Sequence, residues 1–279
     1  MPTTAEKRRA FRELHRTGCF VIPNPWDVGS ARYLQHLGFK ALASTSSGFA
    51  WSQACPDRAV TVDMVLAHLR AICAASDLPV NADFEQGYAH DIGAMAENVR
   101  RCVETGVAGL SIEDASGDKD DPIYPIEEAT ARVAAARAAI DRTGGEVLLT
   151  GRAEGFLFGH PDLDEILRRL CRYAQAGADC LYAPGIRTRE QIAAVVEAVA
   201  PKPVNLLVGG ATDLTVEDIA ALGVRRISVG GGLARSAWGG FMRAAQEIAG
   251  EGRFAAFAQA ASGAELNGLF GDQSWRGRV

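Results

Sequence analysis

Three times in this chain a helix-like stretch ends on glycine and runs straight into apolar residues: Thr105-Gly106-Val107, Ala176-Gly177-Ala178 and Leu222-Gly223-Val224. Glycine takes the left-handed conformation that closes a helix, and the short apolar run after it reads as a buried strand. The same alternation extends along the whole chain. Runs at 19–23, 40–44, 79–84, 107–113, 146–151, 179–183, 203–208 and 225–229 predict eight strands. Between them, stretches rich in Ala, Arg and Glu predict helices over 4–17, 64–75, 95–105, 126–143, 163–176, 189–200 and 215–222, and another from the Asn24-Pro25-Trp26-Asp27 turn to about Leu37. Strands and helices in strict alternation predict an α/β fold, a (β/α)8 TIM barrel. A doubly wound sheet is the alternative. It is disfavoured because no Gly-x-Gly-x-x-Gly follows a strand, and Gly230-Gly231-Gly232 lacks the third glycine at the right offset.

The size and charge narrow the class further. The 279 residues, 48% of them hydrophobic, fit a single barrel domain over 1–279, with 250–279 expected to form a C-terminal helix and tail. A net charge of -5 gives no general attraction to nucleic acid or to membranes. The pairs Arg100-Arg101, Arg168-Arg169 and Arg225-Arg226 are expected to be solvated edges. No run of 18 apolar residues exists, and the N-terminal polar helix has no signal-peptide core, so a cytoplasmic protein is expected. Six cysteines without Cys-x-x-Cys spacing read as reduced packing residues.

Active sites of barrels form at the C-terminal ends of the strands, so those ends hold the candidates. The third strand ends in Asp83-Phe84-Glu85. Residues i and i+2 of a strand share a face, so both carboxylates are expected to point the same way. Two like charges held together call for a cation or a shared proton, and hard oxygens suit Mg²⁺. A solvated pair of acids at a strand end is the equally weighted bland alternative. The second strand leads into Ser44-Thr45-Ser46-Ser47-Gly48, a hydroxyl- and amide-rich turn able to cradle an anion, or simply an ordinary loop. The fourth ends in Glu113-Asp114, of which only one can face the barrel mouth. The fifth ends in Arg152, whose guanidinium matches carboxylates or phosphates, although a structural Arg–Glu pair competes with that reading. The seventh offers Asn205. Of the four lysines, Lys7, Lys40, Lys119 and Lys202, none is well placed for a Schiff base. The five histidines, His15, His36, His68, His90 and His160, are expected at the surface. The convergence describes a site for a metal-chelated anionic substrate.

These segments, taken in order from about Asn24 to Phe241, resemble the isocitrate lyase/phosphoenolpyruvate mutase superfamily. They are Asn24-Pro25-Trp26-Asp27, Ser47-Gly48, Pro56-Asp57, Asp83-Phe84-Glu85, Ile112-Glu113-Asp114, Thr150-Gly151-Arg152, Gly177-Ala178-Asp179 and Ser228-Val229-Gly230. The resemblance implies a barrel whose last helix is exchanged between subunits of a dimer or tetramer, with Mg²⁺ essential and Mn²⁺ a possible substitute. It implies a substrate-anion cradle on Ser47, Gly48 and Phe49, a mobile-loop aspartate at Asp57, and metal-site acids at Asp83, Glu85 and Glu113, some of them acting through water. Arg152 would hold the substrate carboxylate and Asn205 would be a further polar contact. The superfamily's isocitrate and methylisocitrate lyases carry Lys-x-Cys-Gly-His after the fourth strand. Here Lys119 matches, but Asp121 stands in place of the cysteine. The sixth strand runs Tyr182-Ala183-Pro184-Gly185, without the glutamate of the lyases or the histidine of the phosphonate enzymes.

The expected function is a Mg²⁺-dependent lyase. It would cleave a C–C bond of a small 2-oxo or 2-hydroxy carboxylate through a metal-stabilised enolate, as in oxaloacetate decarboxylation or alkylmalate cleavage. The alternatives are a P–C bond enzyme (a phosphoenolpyruvate mutase, a carboxyvinyl-carboxyphosphonate phosphorylmutase or a phosphonopyruvate hydrolase) and an inactive barrel kept for binding. The segment 115–124, polar and acidic, is expected to act as a mobile lid.

Overall fold

The computed structural model describes residues 1–271 and Trp275. The part of the expected tail at 272–274 and 276–279 lies outside the described residues.

All eight expected strands form: β1 (Phe20–Ile22), β2 (Leu42–Ala43), β3 (Val80–Ala82), β4 (Gly109–Glu113), β5 (Leu148–Arg152), β6 (Cys180–Tyr182), β7 (Val204–Leu207) and β8 (Arg226–Ser228). They pair in parallel in the order β1-β8-β7-β6-β5-β4-β3-β2. The gap between β1 and β2 is bridged by the Ala43 N–H, which donates to the Pro23 carbonyl at 3.0 Å, so the barrel is nearly closed. The helices are α1 (Thr4–Leu14), α2 (Val28–His36), α3 (Ser46–Ser52), α4 (Val62–Ala75), α5 (Ile92–Val103), α6 (Ile126–Arg142), α7 (Leu163–Gln175), α8 (Arg189–Val199), α9 (Val216–Ala221), α10 (Gly232–Glu251) and α11 (Gly263–Phe270). Most begin on a side-chain cap. Asp27, Thr61, Asp91, Asp162, Thr188 and Thr215 each accept from an amide of the first turn, satisfying a donor that the helix itself leaves open.

The core lies between the strands and the helix ring, with Leu66, Leu69, Ile72, Met95, Leu110, Leu149, Leu170 and Leu181 almost fully buried. Helix α1 closes the bottom of the barrel by inserting Phe11. Gly109 makes that possible: a Cβ there would stand 2.7 Å from the Phe11 ring and 2.6 Å from Asn81 Oδ1.

Tertiary packing overrules several sequence expectations. The Ser44–Gly48 stretch is not a free turn, because Thr45 caps α3, a helix whose Ser/Gly composition carries no apolar period. Arg226 points into the barrel, where its Nε donates to Asn205 Oδ1 at 2.8 Å and its Nη2 to Thr150 Oγ1 at 3.0 Å. Arg169 is buried against Asp114 at 3.1 Å. His15 and His68 are half-buried rather than exposed. His15 packs edge-on against Phe11 and Phe20, and His68 stacks on Phe49 with ring centroids 3.9 Å apart. Burial, with Arg226 nearby, lowers the His15 pKa to about 3, and burial lowers that of His68 to about 4, so both rings are neutral at pH 7.

Beyond β8, α10 buries only Ala234 and leaves Trp238, Phe241 and Met242 exposed. A 3-10 turn (Ala255–Gln259) folds back on it, and α11 follows. No helix among the described residues is long and apolar enough to cross a membrane.

Candidate active site

The β4–β5 register sets the centre of the site. Glu113 and Arg152 are paired residues at the C-terminal ends of adjacent strands, so their side chains emerge side by side. Arg152 Nη1 lies 3.3 Å from Glu113 Oε2 and 3.2 Å from Asp83 Oδ1. Its Nε donates to Glu154, and its guanidinium lies 5.1 Å from the Tyr182 ring centroid. The backbone turns after Arg152 into a 3-10 segment (Gly155–Phe158), which places Glu154 beside it. Asp114 faces the other way, as strand alternation requires. There it accepts from Tyr173 Oη at 2.7 Å, from Arg169, and from the Glu154 amide at 2.7 Å, so it anchors the turn that carries Glu154.

Asp83 lies just past β3, its amide donating to Ser44 Oγ and its Oδ2 accepting from the Ser46 amide at 3.0 Å. The shared-face expectation for Asp83 and Glu85 does not hold as strand geometry. β3 ends at Ala82, and Glu85 has left-handed backbone, φ +46°. The chain folds over instead, and Glu85 is buried with Tyr88 Oη donating to its Oε1 at 2.8 Å. Among the described residues the non-glycine left-handed positions are Ala54, Arg58, Glu85 and Tyr88. All lie in the two loops that frame the site, where such strain commonly collects.

Asp57, Asp83, Arg152 and Tyr182 line a cavity of about 210 Å³, together with Ser47, Asn205 and Arg226. Glu85 and Glu113 are buried and are not among the residues that line it. Ser47 and Asp57 are shared with a wider opening of about 850 Å³ toward the loops after β6, β7 and β8. The expected anion cradle is only partly available. Ser47 reaches the cavity, but the Gly48 amide is turned to Thr45 Oγ1 at 3.3 Å. The Phe49 amide is bonded within α3, and the Phe49 ring belongs to the core. Asn205 contacts Arg226 and donates to Ser228 Oγ at 2.9 Å.

Lys119 and Asp121 are not brought to this cavity. They are exposed on an excursion that leaves and rejoins the barrel through an antiparallel bridge between Ala115 and Ile123. The excursion is stapled at its base by the Ser116 amide, donating to the Pro122 carbonyl at 2.9 Å. Sequence reasoning missed two members of the cluster, Arg58 and Glu154. Arg58 Nη2 donates to Glu113 Oε1 at 2.6 Å and lies 3.8 Å from Glu154 Oε2. Their adjacency to Asp57 and Arg152 was the only signal.

Acidic side chains outnumber basic ones here: Asp57, Asp83, Glu85, Glu113 and Glu154 surround Arg58 and Arg152. Burial first, and then the Asp83 carboxylate, push the Glu85 pKa up to about 7. Burial also raises Glu113 well above the usual carboxylate range, with Arg152 opposing and Glu154 reinforcing the rise. Asp57 is raised by burial and by Asp83. An all-oxygen donor set with surplus negative charge fits a hard divalent cation such as Mg²⁺. Yet among the described residues no three acidic, His or Cys side chains converge closely enough to hold an ion between them. Arg58 and Arg152 stand among the acids instead.

The fold and site define a (β/α)8 barrel enzyme with a carboxylate-rich, arginine-bearing mouth. The chain belongs to the phosphoenolpyruvate phosphomutase family, whose model matches residues 11–249, within the isocitrate lyase/phosphoenolpyruvate mutase superfamily of lyases and mutases. The oxaloacetate decarboxylase of Paraburkholderia xenovorans (strain LB400) is 32% identical over 235 residues, 81% of this chain and 75% of its own. A Burkholderia cenocepacia J2315 crystal structure, provisionally assigned as a lyase/mutase, is 46% identical with a TM-score of 0.93, covering 96% of this chain and 97% of its own. The phosphonopyruvate hydrolase solved with oxalate and Mg²⁺ is 27% identical with a TM-score of 0.84, covering 97% and 96%.

Proposed function

We propose that this protein is a Mg²⁺-dependent lyase that cleaves a C–C bond of a small 2-oxo or 2-hydroxy dicarboxylate. The observation that carries this reading is the small cavity in which Asp57, Asp83 and Arg152 meet over a surplus of buried carboxylates. About 210 Å³ suits a four- or five-carbon acid. Arg152, whose Nε and Nη1 are held by Glu154, Asp83 and Glu113, would present its Nη2 to one substrate carboxylate. Asp83, with Glu85 and Glu113 behind it, would hold Mg²⁺, or Mn²⁺, directly or through water. When bound, the ion supplies the positive charge that polarises the 2-oxo or 2-hydroxy oxygen. Asp57, raised by burial, would exchange a proton at the cavity wall. The similarity to an oxaloacetate decarboxylase and to a hydrolase that binds oxalate with Mg²⁺ supports a substrate of this size and charge.

Phosphonate chemistry is the second reading, favoured by the hydrolase likeness and by Asp57 at the junction of the two cavities. Closure of the 115–124 excursion would bring Lys119 and Asp121 to the substrate. The exposed Trp238, Phe241 and Met242 on α10 support a homo-oligomer in which this helix packs on a neighbouring subunit, as a dimer or tetramer. The six free thiols fit a cytoplasmic setting.

The test is kcat/KM for oxaloacetate, dimethylmalate, phosphonopyruvate, isocitrate and methylisocitrate, with Mg²⁺ and with EDTA. Oxaloacetate or dimethylmalate should lead, and EDTA should abolish turnover. Isocitrate or methylisocitrate should be poor, because Asp121 stands where those lyases carry the cysteine that serves as their acid. A clear lead for phosphonopyruvate selects the second reading, and full activity in EDTA overturns both.

A further inference from the structure

Arg58 is the member of the cluster that arrives from outside the barrel. It belongs to the loop between α3 and α4, and its side chain is 30% exposed, whereas Glu113 and Glu154 beneath it are at 1%. Arg152, by contrast, grows out of a strand and is gripped by three carboxylates. The seat of Arg58 is poor. Its Nη1 is buried without a hydrogen-bond partner, and its backbone is left-handed at φ +69°. Its guanidinium lies over Phe158, 5.1 Å from the ring centroid. An orphaned buried donor and a strained non-glycine backbone both disfavour this placement. What holds the side chain there is the carboxylate excess, met by the 2.6 Å hydrogen bond that Arg58 Nη2 donates to Glu113 Oε1.

We infer that Arg58 is a resident counter-cation: it neutralises Glu113 and Glu154 in the metal-free protein and gives way when a divalent cation binds. This rests on the reading of the acid cluster as a metal site. A divalent ion carries twice the charge of a guanidinium and would be held by Asp83, Glu85 and Glu113, so it competes with Arg58 for Glu113. The competition favours the ion, because Arg58 leaves toward solvent along an exposed loop and sheds its strain in doing so. Two consequences follow. Glu113 and Glu154 keep a counter-charge between turnovers. And metal affinity is held below what the carboxylates alone would give.

The experiment titrates the full-length protein with Mn²⁺, followed by the loss of the free-ion electron paramagnetic resonance signal, without substrate. Wild type, R58Q and R58K are compared. R58Q should bind Mn²⁺ about tenfold more tightly or better, since no guanidinium has to be displaced from Glu113 before the ion can bind. R58K, which keeps the charge, should stay close to wild type. Hydrogen exchange of wild-type amides 54–60 provides a second measurement that needs no variant, and Mg²⁺ alone should accelerate it. Unchanged or weaker Mn²⁺ binding by R58Q, or slowed exchange with Mg²⁺, overturns the inference while the metal site stands. If wild type and both variants bind no Mn²⁺, the metal-site reading falls, and the role of Arg58 falls with it.

Discussion

Replacing Arg152 with methionine, a side chain of similar length without charge, tests the electrostatic core of the site. Arg152 Nη1 lies 3.2 Å from Asp83 and 3.3 Å from Glu113, and its Nε bonds Glu154. At an effective dielectric of about 20, each such pair is worth roughly 5 kcal/mol of gross attraction. Much of that is offset by the desolvation of the guanidinium, so the net loss is about 3–5 kcal/mol, the usual result of leaving buried charges unpaired. At about 2 °C per kcal/mol for a chain of this size, Tm should fall by roughly 6–10 °C. The fall should depend on pH. Burial already raises Glu113 above the usual range, and without Arg152 it is raised further. A carboxyl whose native pKa is raised holds its proton in the native state after the unfolded chain has lost it. Native stability therefore declines as pH rises through that interval, more steeply in the variant. Thermal unfolding in EDTA at pH 5.5 and pH 8 is the assay, with the larger deficit expected at pH 8. A deficit under about 2 °C at pH 8, or an equal deficit at both pH values, refutes the assignment of Arg152 as the charge that holds these acids together.

Other outcomes follow from the same geometry. Asp83→Ala should abolish turnover and weaken Mg²⁺ binding with little effect on the fold; retained turnover would exclude Asp83 from the machinery. In the metal-free protein, the Glu85 pKa of about 7 predicts stability that falls as pH rises from about 4.5 to about 7. The urea midpoint should show that slope, and E85Q should flatten it. Limited proteolysis should cut first at 117–121, an exposed polar tip, and more slowly with Mg²⁺ and oxalate. Equal rates would count against a closing lid.

The sequence by itself determined the architecture. Eight apolar runs, each bounded by a glycine, a proline or a capping hydroxyl, are local signals, and the strands formed where those signals lay. It also located the acids and Arg152, because strand ends in a barrel have one address. The tertiary structure decided which side chains meet. Asp83 and Glu85 converge through a left-handed turn at Glu85, not through strand alternation, and nothing in a list of residues announces such a turn. Arg226 and Arg169 read as solvated pairs in the sequence, yet partners more than twenty and more than fifty positions away bury them. Glu154 and Arg58 joined the site from a 3-10 segment and a surface loop, where no periodicity operates. Long-range charge pairing is set by the closed barrel, which brings residues 58, 83, 113, 152 and 154 within a few ångströms. Periodicity reports each residue's own surroundings, and so it could supply the ingredients of the site but not their contacts.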